Sequence, residues 1–296
     1  MLTSVTVRVP ATSANMGPGF DTLGVALSLY NTLTFTRSET PSVTGCDARF
    51  AGKDNLALRA FRATCAHVGV TPPAVALHIR ADVPSSRGLG SSATMIVGGI
   101  LGADRLLQLG LTDREHFRLA TAMEGHPDNV APALYGGCTA SLLDGEEPYT
   151  ARIPVHAAYR FCAFIPDFET RTRQARAVLP DSVPRADAVY NVARVATLLP
   201  ALAAGNDRLL SLSLSDRLHE PYRRTLISGF DRVKREAFAA GAVAFFLSGS
   251  GSTLMAIYRD PAFPHAMEQA LAPMEHHWRV LPLTVETTGA TVLAAR

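Results

Sequence analysis

The chain has 296 residues, of which 47% are hydrophobic and 18% are charged, and its formal net charge is +2. This length suffices for one large domain or two smaller ones, and the composition excludes a disordered chain. The small net charge argues against a nucleic-acid binder, and the four cysteines lack the spacing of a zinc site or a disulfide framework.

Alternating apolar residues predict a strand over residues 5–9, which leads into the glycine-rich and proline-rich segment PATSANMGPGFDTLG at residues 10–24. The elements predicted after it are a helix over 56–68, a strand at 75–79, helices over 91–109 and 114–123, strands at 138–143 and 159–165, helices over 186–204 and 226–240, strands at 242–247 and 253–258, a helix over 265–271 and a strand at 278–285. Because they mix without regular β-α-β alternation, we expect an α+β fold.

The longest mostly apolar run, ATMIVGGILGA, is too short to cross a bilayer. The first residues alternate like a strand and lack the long apolar core of a signal peptide. We therefore expect a soluble cytoplasmic protein.

A second glycine-rich segment, VPSSRGLGSSA at residues 83–93, lies between a predicted strand and a predicted helix. Glycines let a backbone approach a ligand closely, and a helix that starts near Ser91 adds free N–H groups and the positive end of its dipole. A phosphate site needs these features, although a plain strand-to-helix connection with a serine cap has the same composition. Since three such glycine-rich segments lie at element boundaries, we favour the phosphate site.

The segment PSSRGLGSSA resembles the ATP-binding motif of the GHMP kinases, the superfamily of galacto-, homoserine, mevalonate and phosphomevalonate kinases. Residues 10–24 and the segment SGSGSTLMA at 248–256 resemble two further motifs of that superfamily, in the same order. The resemblance implies a two-domain GHMP kinase architecture, with a ribosomal-protein-S5-domain-2-like N-terminal ATP-binding domain and a ferredoxin-like C-terminal domain. The hydrophobic pattern loosens around residues 146–154, so we expect these domains to be residues 1–153 and 154–296.

Within the superfamily, residues 10–24 resemble the signature of the homoserine kinase family. Three further blocks resemble that family: EGHPDNVAPALYGG at 124–137, TRTRQARAVLP at 170–180 and DRLHEPYRRTLISGF at 216–230. The resemblance implies MgATP-dependent phosphorylation of L-homoserine to O-phospho-L-homoserine in threonine biosynthesis. It also implies small-molecule substrates, a homodimer, and no nucleic-acid or membrane partner.

The resemblance further implies the residues of the site. The expected catalytic residues are Asp21, Asn15 and Arg176, and the expected substrate-binding residues are Asn15, Asp21, His126, Asn129, Thr172, Arg176 and Arg223, with Asp128 as an additional acceptor. The expected ATP-binding residues are Pro84, Ser85, Ser86, Arg87, Gly88, Leu89, Gly90, Ser91, Ser92 and Ala93, and the expected Mg²⁺ ligands are Ser92 and Glu124. The chemistry is consistent, because guanidinium groups suit a carboxylate and hard oxygen atoms suit Mg²⁺.

These residues also have ordinary structural interpretations. Asn15 and Asp21 could make Asx turns, Asp128 could cap a short helix from Asn129, and Glu124 could be an exposed residue at a helix end. For Asp21 two catalytic roles are open, those of a base and of a group that orients the substrate. A carboxylate with a pKa of about 4 is a poor base for an alcohol, so we favour orientation.

Two other functions remain open at this point. One is a GHMP kinase that acts on a different small alcohol. Arg176 and Arg223 argue against it, because two guanidinium groups favour a substrate with an α-carboxylate. The other is a catalytically silent amino-acid or nucleotide sensor on the same fold. The set Asp21, Ser92 and Glu124 argues against it, because a sensor does not need metal ligands and acceptor groups. The segment at 248–256 is expected to turn tightly between two strands and to pack against the first glycine-rich loop.

Overall fold

The structure is a computed structural model that describes residues 2–296, and it contains two β-sheets covered by helices. The strands are β1 (Ser4–Ala14), β2 (Leu23–Arg37), β3 (Ser42–Thr44), β4 (Val75–Ala81), β5 (Cys138–Asp144), β6 (Glu147–Ile153), β7 (Arg160–Pro166), β8 (Ala244–Leu247), β9 (Leu254–Tyr258), β10 (Trp278–Leu283) and β11 (Thr291–Ala295). The helices are α1 (Leu56–His67), α2 (Ser91–Leu107), α3 (Asp113–Glu124), α4 (Val130–Tyr135), α5 (Thr172–Ala177), α6 (Arg185–Ala204), α7 (Asp207–Ser213), α8 (Glu220–Arg223), α9 (Phe230–Ala239) and α10 (Phe263–Leu271). The mixture confirms the expected α+β fold.

The first sheet has seven strands, in the order β11-β1-β2-β4-β3, and β5 and β6 are joined to it through β2. Strand β2 is 15 residues long and pairs with β1 along one edge, while on its other edge residues 23–25 pair with β5 and residues 31–37 pair with β4. The second sheet is antiparallel, in the order β10-β7-β9-β8. Each sheet therefore forms the centre of one half of the molecule.

Helix α2 lies against α1 and the first sheet, and glycines let it come close. A Cβ on Gly99 would lie 2.3 Å from the carbonyl oxygen of Ala57 in α1, and one on Gly102 would lie 2.4 Å from the ring of Phe35 in β2. Such distances exclude any larger residue without a shift of the backbone or the core. The close approach fixes where α2 begins, and with it the position of the loop that precedes it.

A shared core joins the two halves. Leu23 and Val25 of β2 belong to the same buried cluster as Phe161 of β7 and Leu198 of α6. Burial of apolar surface between the two sheets holds them as layers around common side chains. The loops at the ends of β1, β4 and β8 are thereby brought to one edge of this junction.

The structure also differs from the predicted elements. The segment around residues 146–154, where the pattern loosens, contains the regular strand β6, which pairs with β5 through a tight turn at Gly145 (φ +60°). Strand β11 was not predicted, and it pairs with β1. The helix expected from residue 226 begins at Phe230, because Gly229 adopts a left-handed conformation (φ +82°) at its N-cap. The domain boundary after residue 153 stays a prediction.

Within residues 2–296, none of the helices combines the length and the apolar character needed to cross a membrane.

Candidate active site

The first glycine-rich loop connects β1 to β2 and has an unusual backbone. Asn15, Met16 and Asp21 all have positive φ, at 69°, 44° and 52°, and so does Gly17. Asn15 stabilises the loop through its side-chain oxygen, which accepts a hydrogen bond from the Asp21 N–H at 3.0 Å. Because such conformations are unfavourable for residues other than glycine, the loop needs support from its surroundings.

The second loop precedes α2, as the sequence predicts. Ser86, Gly88 and Gly90 have positive φ, and Gly90 is the N-cap of α2. A Cβ on Gly88 would lie 2.2 Å from the Ser248 carbonyl oxygen, and one on Gly90 would lie 1.9 Å from the Thr12 hydroxyl. These glycines therefore permit close contact with the end of β1 and with the segment that follows β8.

The third segment, between β8 and β9, connects the other two loops. Its Gly249 exchanges hydrogen bonds with the first loop, donating from its N–H to the Ala14 carbonyl and accepting from the Asn15 side chain at 3.0 Å. Its Ser248 hydroxyl donates to the Gly88 carbonyl at 2.6 Å. The prediction that this segment turns between strands and packs against the first loop is confirmed.

A cavity of about 290 Å³ lies where these loops meet. The expected site residues that line it are Asn15, Asp21, Ser85, Ser86, Arg87, Gly88, Gly90, Ser91, Ser92, Glu124, His126, Asn129, Thr172, Arg176 and Arg223, together with Asp128. Of the remaining expected ATP-binding residues, Pro84 is not among the lining residues, and Leu89 and Ala93 are buried in the hydrophobic cores. Arg87 directs its guanidinium to the carbonyl oxygens of Pro166 and Asp167, so it also joins this loop to the C-terminal half.

Sequence reasoning missed the apolar end of the cavity. Cys46, Phe50, Leu56 and Met95 line it, next to the second loop. Leu56 and Met95 lie in predicted helices, where apolar residues are ordinarily assigned to a core. Their part in the cavity follows from long-range packing, and no local motif indicates it.

Arg223 is a deeply buried cation at the polar end of the cavity, with an exposure of 3%. Its Nε and Nη1 donate to the carbonyl oxygens of Ala175 and Gly249, at 3.1 and 3.2 Å. No acidic side chain lies within ion-pair distance of it among the described residues. Burial, followed by the nearby Arg176 charge, lowers the pKa of the Arg223 guanidinium to about 10.

Arg176 and Asp21 form a two-pronged ion pair at the same end. Arg176 Nη1 and Nη2 each donate to one carboxylate oxygen of Asp21, at 3.2 Å. Arg176 lies on α5, so the pair links the C-terminal half to the first loop. Thr172 is the first residue of the same short helix.

His126, Asp128 and Asn129 lie in the segment immediately before α4. His126 Nδ1 and Asp128 Oδ1 are 2.5 Å apart, and the Asn129 side-chain oxygen accepts from the Thr12 hydroxyl at 2.7 Å. Although burial opposes the charged imidazole, the Asp128 carboxylate raises the pKa of His126. One ligand atom each of Asp21, His126 and Asp128 lies within 4.8 Å of the others, an arrangement that attracts a cation.

Ser92 and Glu124 meet beside the second loop. The Ser92 hydroxyl donates to the Glu124 carboxylate at 2.5 Å, which brings the first turn of α2 against the end of α3. Burial raises the pKa of the Glu124 carboxyl. A hydroxyl and a carboxylate oxygen are hard ligands of the kind that Mg²⁺ prefers.

Comparison with known proteins agrees with this geometry. The family models described as GHMP kinases N terminal domain and GHMP kinases C terminal match residues 55–137 and 198–273. A homoserine kinase of Crocosphaera subtropica (strain ATCC 51142 / BH68) is 43% identical, over 99% of both chains. The chain belongs to the homoserine kinase family of the GHMP kinases. A homoserine kinase of Clostridium beijerinckii (strain ATCC 51743 / NCIMB 8052) is 41% identical, over 98% of both chains.

Solved structures give the same family and fold. The crystal structure of a homoserine kinase from Cytophaga hutchinsonii superposes with a TM-score of 0.90 at 29% identity, covering 99% of this chain and 98% of that one. A mevalonate kinase of L. major, solved with R-mevalonate, has a TM-score of 0.74 at 17% identity, covering 95% and 96% of the two chains. The second likeness shows the fold alone. The two-domain GHMP kinase architecture is thereby confirmed.

Proposed function

We propose that the protein transfers the γ-phosphoryl group of ATP to the side-chain hydroxyl of L-homoserine, giving O-phospho-L-homoserine and ADP, a step of threonine biosynthesis. The observation that carries the substrate class is Arg223, a buried guanidinium without an acidic partner among residues 2–296. A buried charge without a partner is costly, and the carboxylate of an α-amino acid supplies that partner. Arg176 lines the same end of the cavity and provides a second guanidinium.

The ammonium and hydroxyl groups of homoserine need acceptors, and the same end of the cavity supplies them. Asp21 and Asp128 offer carboxylates to the ammonium, while Asn15, His126 and Asn129 offer polar atoms around the short side chain. Arg176 and Asp21 pair with each other in the structure. A zwitterionic amino acid carries both charges, so its carboxylate can pair with Arg176 and its ammonium with Asp21.

ATP fits the remainder of the cavity. The backbone N–H groups of residues 88–92 and the positive end of α2 suit the phosphates, and the apolar end formed by Phe50, Leu56 and Met95 suits the adenine ring. The second loop has no lysine, since the only lysines of the chain are Lys53 and Lys234. Backbone groups must therefore provide most of the phosphate contacts.

Ser92 and Glu124 fit the role of Mg²⁺ ligands, because they place a hydroxyl and a carboxylate side by side at the start of α2. Bound Mg²⁺ neutralises phosphate charge in reactions of this type. The cluster of Asp21, His126 and Asp128 is a less suitable metal site, since His126 Nδ1 is already engaged by Asp128. We assign the two carboxylates of that cluster, Asp21 and Asp128, to the ammonium of the substrate.

The chain's own contribution to the chemistry is positioning. The substrate oxygen forms a bond to the γ-phosphorus while the bond from that phosphorus to the bridging oxygen of ADP breaks, and the hydroxyl proton passes to phosphate or water. Asp21 holds the amino acid in line through its ammonium. The N–H groups at the start of α2 stabilise charge on the transferred group.

Asp21→Asn tests the role of that carboxylate. Asparagine tolerates the left-handed backbone of residue 21, so the loop keeps its shape while the charge is lost. We expect the KM for L-homoserine to rise about tenfold or more with a smaller change in kcat. An unchanged KM with a collapsed kcat would instead identify Asp21 as a base.

Release of ADP in the presence of MgATP tests the function itself, with L-homoserine, L-serine, mevalonate, galactose and shikimate as acceptors. Turnover of L-homoserine in strong preference to the others is the expected result. Turnover of another alcohol would retain the ATP site and overturn the substrate. If MgATP binds but none of the acceptors is phosphorylated, the protein is a sensor on a kinase fold.

The proposed compartment is the cytoplasm, and the proposed assembly is a homodimer. The four cysteines are free thiols, and ATP is the phosphoryl donor, which fits the cytoplasm. The homodimer stays a prediction that light scattering of the purified protein can test.

A further inference from the structure

The first loop carries Asn15 and Asp21 in a strained backbone, and residues outside the proposed substrate site bind the part of the loop at Gly17 and Pro18. Two carbonyl oxygens of that part accept hydrogen bonds from the C-terminal half. Gly17 O accepts from His219 Nε2 at 2.8 Å, and Pro18 O accepts from Asn191 Nδ2 at 3.0 Å. Both donors are buried, with exposures of 0% and 3%.

One carboxylate connects these two donors. Asp216 Oδ1 accepts from Asn191 Nδ2 at 2.7 Å, and its Oδ2 accepts from the backbone N–H groups of His219 and Glu220 at 2.8 and 2.6 Å. The latter two contacts fix the start of α8, which ends at Arg223. The set Asn191, Asp216 and His219, here called the Asp216 cluster, therefore contacts both the first loop and the helix that carries the buried guanidinium.

An aromatic contact reinforces the connection. The His219 ring stacks on Phe20, with centroids 5.1 Å apart. The guanidinium carbons of Arg223 and Arg176 lie 5.0 and 6.0 Å from the centroid of the same Phe20 ring. Phe20 thus contacts His219 and lies within cation–π range of both arginines.

Because a carbonyl oxygen only accepts, Nε2 is the protonated nitrogen of His219. Its Nδ1 has no hydrogen-bond partner in the described part of the chain. The ring therefore donates one hydrogen bond, to Gly17, while its Nε2 also lies 3.7 Å from Asp216 Oδ2 and its face stacks on Phe20. These two contacts can be separated by mutation.

We propose that the Asp216 cluster consists of positioning residues, which hold Asn15, Asp21 and Arg223 in one arrangement for the amino-acid substrate without touching that substrate. The identity of the substrate rests on the function proposed above, whereas the positioning itself rests on the hydrogen bonds of the cluster. In this role Asn191, Asp216 and His219 act on the substrate only through the first loop and α8.

Two substitutions at His219 separate its contacts. His219→Phe keeps a ring against Phe20 and removes the donor to Gly17, whereas His219→Gln keeps an N–H donor of similar reach. We expect His219→Phe to raise the KM for L-homoserine about tenfold with an unchanged KM for MgATP, and His219→Gln to restore most of the loss. Phe263→Leu, at the first residue of α10 and in the core of the C-terminal half, is the control for a general loss of stability.

Hydrogen exchange of the peptide spanning residues 15–23 gives a readout that needs no turnover. The amides of Asn15, Gly19 and Leu23 are hydrogen-bonded within the loop, and we expect them to exchange faster in His219→Phe than in Phe263→Leu. Equal exchange in the two variants, or a KM change shared by both substrates, overturns the proposal. If the wild type does not phosphorylate homoserine while exchange still differs, the proposed substrate fails and the positioning role stands.

Discussion

At the scale of single residues, the site is defined by charges that the fold leaves incompletely neutralised. The Arg223 guanidinium donates its hydrogen bonds to carbonyl oxygens, and Arg176 and Asp21 pair across the two halves. A carbonyl dipole compensates a guanidinium less well than a carboxylate does. The arrangement is costly for the folded protein and suited to an anionic group that also carries an ammonium.

Arg223→Ala should therefore weaken amino-acid binding in particular. We expect the KM for L-homoserine to rise about 100-fold, because a charge-assisted contact is lost, while the KM for MgATP stays the same. Steady-state kinetics with each substrate varied in turn measures both values. Arg224→Ala is the matched control, since the neighbouring Arg224 is exposed and pairs with Asp231. Equal effects of the two substitutions would contradict the assignment.

A pH dependence of stability follows from His219. Burial lowers the pKa of its imidazole, so the folded protein resists protonation there. The stability linked to this group is fully present above the unfolded pKa of about 6.5 and is lost as the pH falls below it. We expect wild-type unfolding free energy to drop more than that of His219→Phe between about pH 7.5 and about pH 5.5. Urea unfolding at both pH values measures the difference, and parallel drops would contradict it.

At the scale of elements, α2 positions the second loop through its close packing on α1. Gly99→Ala tests this, because a methyl group there would lie 2.3 Å from the Ala57 carbonyl oxygen. Alanine gains about 1 kcal/mol of intrinsic helix propensity over glycine, and overpacking typically costs about 1–3 kcal/mol. We expect a net loss of stability in urea unfolding.

Gly52→Ala is the comparison for that substitution. Residue 52 has open space around a Cβ and no positive φ, so alanine there should leave stability unchanged or raise it slightly. If Gly99→Ala were as stable as Gly52→Ala, α2 would not depend on the close approach.

The elements also show how far the sequence alone could lead. Helices α1 and α2 were predicted within two residues of their observed ends, because caps and periodicity are local signals. Strand β6 was missed although Asp144 and Gly145 mark a hairpin turn, and β11 was missed because it is short and mostly exposed.

The site could be predicted only in part for a related reason. Asn15, Asp21 and Arg223 were assigned from family resemblance, since an Asx turn and a surface arginine have the same local pattern. Cys46 and Phe50 line the cavity through contacts between distant segments. The Asp216 cluster likewise joins residues far apart in the chain, which no local spacing indicates.

At the scale of the whole molecule, the chain leaves the first sheet after β6, builds the second sheet, and returns to the first with β11. Removal of residues 291–296 should therefore destabilise the N-terminal half. We expect a lower melting temperature and association of the truncated protein, because the edge of β1 is then unpaired. Differential scanning calorimetry and light scattering measure the two effects. A truncated protein that remained monomeric with the wild-type melting temperature would show that β11 is dispensable.

The return of β11 has a consequence for synthesis on the ribosome. Strand β1 is among the first segments to emerge, yet its outer partner is made only with residues 291–295. Loop closure over such a distance is slow, and domains otherwise tend to fold as they emerge. The outer edge of β1 therefore stays unpaired until translation is nearly complete, and the first sheet acquires its last strand only when the C-terminal residues are made.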